Sequence, residues 1–148
     1  MGSMAAFKEA QAVFAALAER ADQPTDLWET AQRQQWVELV ETLGRILPAL
    51  QHDHINHLAQ DAVPEELGGK FSHVLADRLR IRRSEATRRI AEAADLAPRR
   101  APTGQSLPPR LAATAAGQQA GAISGEHVKV IRGFFTRLPG FIDEQPRR

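Results

Sequence analysis

The chain has 148 residues, no cysteine, 19 Lys plus Arg against 18 Asp plus Glu, and a formal net charge of +1. That length can bury a core without staples, and the missing cysteines exclude a disulfide framework and thiolate metal ligands. No run approaches the roughly 20 apolar residues of a membrane span and the N-terminus lacks a secretion-signal pattern, so the expected location is cytoplasmic.

Tyrosine is absent, and alanine, leucine, arginine, glutamate and glutamine dominate, a vocabulary that favours helices over strands. The expected fold class is all-α: an N-terminal amphipathic helical hairpin followed by a helix-turn-helix-like multi-helix region. The small net charge hides an asymmetry. Residues 1–69 carry 4 basic and 11 acidic side chains, or −7, whereas residues 78–110 carry 9 arginines against Glu85, Glu92 and Asp95, or +6. Such separation suits contact with a polyanion; the competing reading is a solvated basic face paired with the chain's own acidic half.

In chain order, Met1-Gly2-Ser3 before a second Met4 reads as an expression-tag scar (residues 1–3) and is set aside. Phe7, Ala10, Phe14, Leu17 and Ala21 alternate spacings of three and four, which predicts a first amphipathic helix over 5–21. Asp26 and Glu29 form an N-cap and N3 pair for a second helix. Its apolar seam runs Trp36, Val40, Leu43, Leu47, Leu50, His54 and His57, the a/d pattern of a helix seeking a partner, with a kink or break expected near Gly44 to Pro48. Pro64-Glu65-Glu66 predicts a short helical turn closed by Gly68-Gly69, the expected boundary between an acidic helical hairpin (4–67) and a basic helix-turn-helix-like region (70–140). Phe71, Val74, Leu75 and Leu79 line one helix; Ala86, Ile90 and Ala94 line the next. Ala97 to Pro109, with Pro98, Pro102, Pro108 and Thr103-Gly104, reads as an extended loop. Leu111 to Ala120 forms an alanine-rich helix ended by Gly121, and Ser124 caps a last helix carrying Val128, Ile131, Phe135 and Leu138, stopped by Pro139-Gly140. Residues 141–148 read as a tail or truncated continuation.

The most informative stretch runs from Leu75 to Ile90. A helix-turn-helix needs a small residue where its helices cross and apolar residues in the turn and along the second helix, places that Ala76, Ile81, Ala86 and Ile90 can fill. The turn and the second helix would then present Arg80, Arg82, Arg83, Arg88 and Arg89 to phosphates and Ser84, Glu85 and Thr87 to base edges. Arg80 stands where many such turns carry glycine, and tight helical hairpins that bind no DNA share the same apolar pattern. A weaker repeat of this look, Ala120 to Arg132, places Lys129 and Arg132 on one face; the plainer reading there is a capped helix packing inward.

His52, His54 and His57 have spacings that permit a zinc site, but His54 and His57 continue the helix seam and are expected to be interface positions instead. No metal, cofactor or catalytic residue is assigned, since HExxH, a phosphate loop and Gly-x-Ser-x-Gly are all absent from the sequence.

On Phe71 to Ala93, with Leu75-Ala76-Asp77-Arg78-Leu79 and Ser84-Glu85-Ala86-Thr87-Arg88-Arg89-Ile90, and on Leu107-Pro108-Pro109 leading to Ala120 through Val128, the chain resembles the N-terminal part of the mycobacterial 13E12 repeat family, a domain of unknown function (DUF222). The resemblance implies an intracellular actinobacterial protein, often continued by a C-terminal HNH nuclease-like domain whose residues this chain lacks. The functional expectation is a module that binds double-stranded DNA and regulates transcription or a repeat element, nucleoid-associated, with a homodimer through the 36–57 seam. The competing functions are the targeting half of an HNH endonuclease and a helical oligomerisation module.

Overall fold

The computed structural model describes residues 2–138. It is all-α apart from one two-stranded hairpin: α1 (Gly2–Ala21), α2 (Thr30–Ile46), α3 (Ala49–Asp61), α4 (Pro64–Leu67), α5 (Phe71–Leu79), α6 (Arg83–Leu96), β1 (Arg99–Arg100), β2 (Ser106–Leu107), α7 (Ala112–Gln119) and α8 (Gly125–Arg137). None of these helices is long and apolar enough to cross a membrane. The backbone groups into two compact units, Met1–Val37 and Glu38–Arg148. The segment from Glu38 to Gly69 therefore belongs with the basic helices.

In the first unit α1 forms where its apolar spacing predicts, with Phe7 and Phe14 exposed. The α1–α2 connection is held by Arg33, whose guanidinium donates to the Thr25 carbonyl at 2.7 Å and the Trp28 carbonyl at 3.2 Å. Arg20 lies 4.5 Å over the Trp28 ring, and Trp28 meets Trp36 edge-on at 5.8 Å. The start of α2 differs from the expected Asp26 and Glu29 pair. Gln32 Oε1 accepts the Glu29 backbone N–H at 2.9 Å, so Glu29 is the capping position and the helix begins at Thr30.

In the second unit the helix breaks at Leu47-Pro48, as proline requires, and Pro48 precedes α3 with φ −60°. The break resets the phase of the seam. Leu50 and His54 are exposed, and α3 instead buries His52, Ile55 and Asn56 on the face that packs against α6. The predicted seam thus ends at the proline, because a new helix chooses its buried face by what it meets. Gly68 and Gly69, at φ 77° and 147°, close the α4 turn.

Two apolar clusters form the core. Leu75, Ala76 and Ala86, with Phe71, Ile81 and Ile90 against them, join α5 to α6. Leu96, Leu111, Ala115 and Val128, with Ile123 and Phe135, join α6 to α7 and α8. Polar links cross between helices as well. His52 Nε2 lies 2.7 Å from Gln118 Oε1 in the interior, and Arg132 Nε donates to Asp95 at 2.8 Å. Gln118 is fully buried and its Nε2 has no hydrogen-bond partner among the described residues.

Candidate nucleic-acid interface

Helices α5 and α6 are joined by three residues, Arg80-Ile81-Arg82, and the backbone ends α5 in a defined way. The Ile81 N–H donates to the Ala76 carbonyl at 3.0 Å and the Arg80 N–H to the Asp77 carbonyl at 3.3 Å, the 6→1 and 5→2 pair of a Schellman motif. That motif needs a left-handed residue, and Arg80 supplies it at φ 53° and ψ 43°. Arginine therefore adopts the backbone that glycine prefers, at a steric cost of about 1–2 kcal/mol. Ile81 packs down onto Leu75, Ala76 and Ala86, where the two small alanines let the helices approach.

This geometry sorts the arginines into two groups. Arg80, Arg82 and Arg83 are exposed around the turn and take no ion pair or side-chain hydrogen bond among the described residues; Ser84 and Thr87 are exposed beside them. The Thr87 hydroxyl donates back to the Arg83 carbonyl at 2.9 Å. Arg88 and Arg89, one turn further on, converge on carboxylates. Arg88 bonds Glu85 through Nε at 2.8 Å and Nη2 at 2.7 Å and also bonds Glu92, while Arg89 Nε reaches Glu85 at 2.8 Å. The Arg88 hydrogen bond, opposed by burial and reinforced by Arg89, lowers the Glu85 carboxyl from 4.5 to about 2. The same bond raises the Arg88 pKa, with the Glu92 and Glu126 charges adding to it. Glu85 is thus a hub that orders two arginines along α6.

The α8 residues stand apart from the turn. Lys129 is exposed and sits 3.7 Å from Glu126. Arg132 has a side chain only 18% exposed and is held by Asp95, so its guanidinium ties α8 to α6. The three histidines do not converge. His52 is buried against Gln118, His54 is exposed, and His57 lies 3.1 Å from Asp61 and 3.5 Å from Asp53. Among the described residues, no group of three or more His, Asp or Glu side chains is placed to hold a metal ion.

Sequence reasoning missed the hairpin after α6. β1 and β2 pair antiparallel with Arg99 opposite Leu107 and Arg100 opposite Ser106, where the prolines had suggested an extended loop. The usable signal was Pro102-Thr103-Gly104, a three-residue hairpin loop with glycine at its left-handed position.

A mostly helical chain with this helix pair has clear relatives. Residues 34–147 match the family described as "Domain of unknown function (DUF222)", and the chain belongs to that family. Among its relatives, the uncharacterized protein Rv1128c of Mycobacterium tuberculosis is 52% identical over 118 residues, covering 80% of this chain and 26% of the relative. The uncharacterized protein Rv3466 of the same organism is 53% identical over 106 residues, covering 72% and 48%. The uncharacterized protein Mb1614c of Mycobacterium bovis is 51% identical over 106 residues, again covering 72% and 48%. The chain therefore spans about a quarter to a half of the length of these relatives. No solved structure matches it.

Proposed function

We propose that this chain is a DNA-binding module in which α5 and α6 act as a helix-turn-helix. The observation that carries the reading is the α5–α6 turn itself. Its strained left-handed residue is an arginine, flanked by Arg82 and Arg83, and all three charges are exposed and without ion pairs among the described residues. A fold that needed only stability would place glycine there; an arginine makes sense where a positive charge has work to do. In this reading Arg80, Arg82 and Arg83 contact phosphates of double-stranded DNA, and Ser84 and Thr87 on the first turn of α6 face base edges. Glu85 holds Arg88 and Arg89 in position for the backbone beyond, and Lys129 adds a more distant charge. Arg132 serves the fold through Asp95.

The biological role that follows is regulation of transcription or of a repeat element by a nucleoid-associated, cytoplasmic protein, with no catalysis by this chain. A second, compatible reading is that the module delivers a longer protein, such as an HNH nuclease, to DNA; the greater length of the relatives favours it. Exposed Val40 and Leu47 favour pairing of two copies through the part of the expected seam that precedes Pro48, which would set half-site spacing.

The test is fluorescence anisotropy on a labelled 30-base-pair duplex across a salt series. Wild-type affinity should fall linearly on a log-log plot, and an Arg80→Ala, Arg82→Ala, Arg83→Ala triple variant should flatten the slope by about 2.7, roughly 0.9 per lost phosphate contact. No binding at low salt, or a triple variant with the wild-type slope, would overturn the proposal.

A further inference from the structure

We infer that the β1–β2 hairpin is a second DNA contact, a basic wing that grips phosphates flanking those met by α6; this rests on the DNA-binding reading above. The hairpin has a built tip. Ala101 N–H donates to the Gln105 carbonyl at 2.9 Å, Gly104 N–H donates to the Ala101 carbonyl at 2.8 Å, and Gly104 closes the loop at φ 82°. A cleft of about 410 Å³, lined by Asp53, His57 and Gln60 on one side and Arg99, Arg100 and Ser106 on the other, lies between the hairpin and α3, and Arg100 reaches His57 beside it.

Its charge is one-sided. Residues 96–125 contain no aspartate or glutamate but hold Arg99, Arg100 and Arg110. Arg99 Nε donates to the Pro108 carbonyl at 3.0 Å, which braces the stem. Arg100 is exposed, and its nearest polar side-chain partner is the imidazole of His57, at 3.4 Å from Nη2; the neighbouring carboxylates, Asp53 and Asp61, engage His57 rather than Arg100. Arg110 is 61% exposed and 3.9 Å from Asp95, whose carboxylate is already taken at 2.8 Å by Arg132. Arg100 thus makes no ion pair among the described residues, and Arg110 shares Asp95 with Arg132.

Position supplies the rest. The hairpin begins three residues after α6, whose 14 residues span about 20 Å. A helix that enters the major groove by its N-terminal turn, as proposed for α6, would leave the segment after its C-terminus nearer the flanking backbone than the base edges. Phosphates there are reached by charge rather than by base-specific hydrogen bonds, which suits two exposed arginines, Arg100 on the hairpin and Arg110 just after it.

The same anisotropy experiment separates the two readings. An Arg100→Ala, Arg110→Ala variant should flatten the salt slope by roughly 1.8 and bind at least about tenfold more weakly at 0.1 M salt, with Arg100→Lys, Arg110→Lys recovering most of the loss because phosphate contacts need charge above shape. If that alanine variant binds as wild type while the turn variant loses binding, the wing is overturned and the helix-turn-helix stands. If wild type itself does not bind, both readings fall. Hydroxyl-radical footprinting of the wild-type protein is independent of any variant's folding. Protection should extend beyond the stretch covered by α6, and a footprint confined to one groove segment would also overturn the wing.

Discussion

The α5–α6 and α7–α8 junctions use the same backbone device for different ends. In both, a Schellman pair of hydrogen bonds closes the first helix: Ile81 N–H to Ala76 and Arg80 N–H to Asp77 in one, Ala122 N–H to Gly117 and Gly121 N–H to Gln118, each at 2.9 Å, in the other. The left-handed residue is Arg80 in the first and Gly121, at φ 70°, in the second. Surroundings explain the choice. A Cβ on Gly121 would lie 2.8 Å from Thr42 Cγ2 and 3.2 Å from Ile46 Cγ1, because the end of α2 presses on that turn. Arg80 faces open solvent. One junction is closed by packing and tolerates no side chain; the other accepts backbone strain and displays a charge.

The largest expected effect comes from breaking the packed junction. Gly121→Val adds left-handed strain to overpacking and should destabilise the fold by about 3 kcal/mol, lowering the melting temperature by roughly 10 °C in calorimetry. Val128→Ala, at a fully buried site beside that junction, should cost about 2 kcal/mol by denaturant titration.

The charged junction is sharpened by pH. Glu85 has a folded pKa of about 2 against an ordinary 4.5, so the folded state binds fewer protons between those values, and its ion pairs lose stability as pH falls through that window. The melting temperature of wild type should therefore drop more steeply from pH 4.5 to 2 than that of Glu85→Gln. A parallel pair of curves would show that the hub contributes nothing to stability. The smallest effect is opposite in sign: Arg80→Gly relieves the left-handed strain and should stabilise the fold by about 1 kcal/mol while flattening the DNA salt slope by about 0.9.

Local signals in the sequence located most helices and their ends. Periodicity marked α1, Pro48 marked the break before α3, Gly121 and Ser124 marked the α7–α8 junction, and the motif around Leu75 to Ile90 located the α5–α6 pair. The failures were non-local. Which face of α3 is buried depends on α6 and α7, and that face carries His52 and Asn56, polar residues whose burial only a distant partner such as Gln118 explains. The pairing of Arg88 is by contrast local: Glu85 stands three residues before it and Glu92 four after, helix-surface spacings at which Arg83 has no carboxylate. Two-residue strands give too short an alternation to register, so the hairpin was hidden behind its prolines.

The Glu85 hub has an entropic side. Long arginine side chains each surrender roughly 0.5–1.5 kcal/mol of rotamer freedom when a partner immobilises them. Arg88 and Arg89 have already lost much of that freedom to Glu85 and Glu92 during folding, whereas Arg80, Arg82 and Arg83 keep theirs. In the proposed DNA complex α6 would therefore offer a preorganised inner pair and a loose outer trio, and ordering on binding would be concentrated in the three residues around the turn.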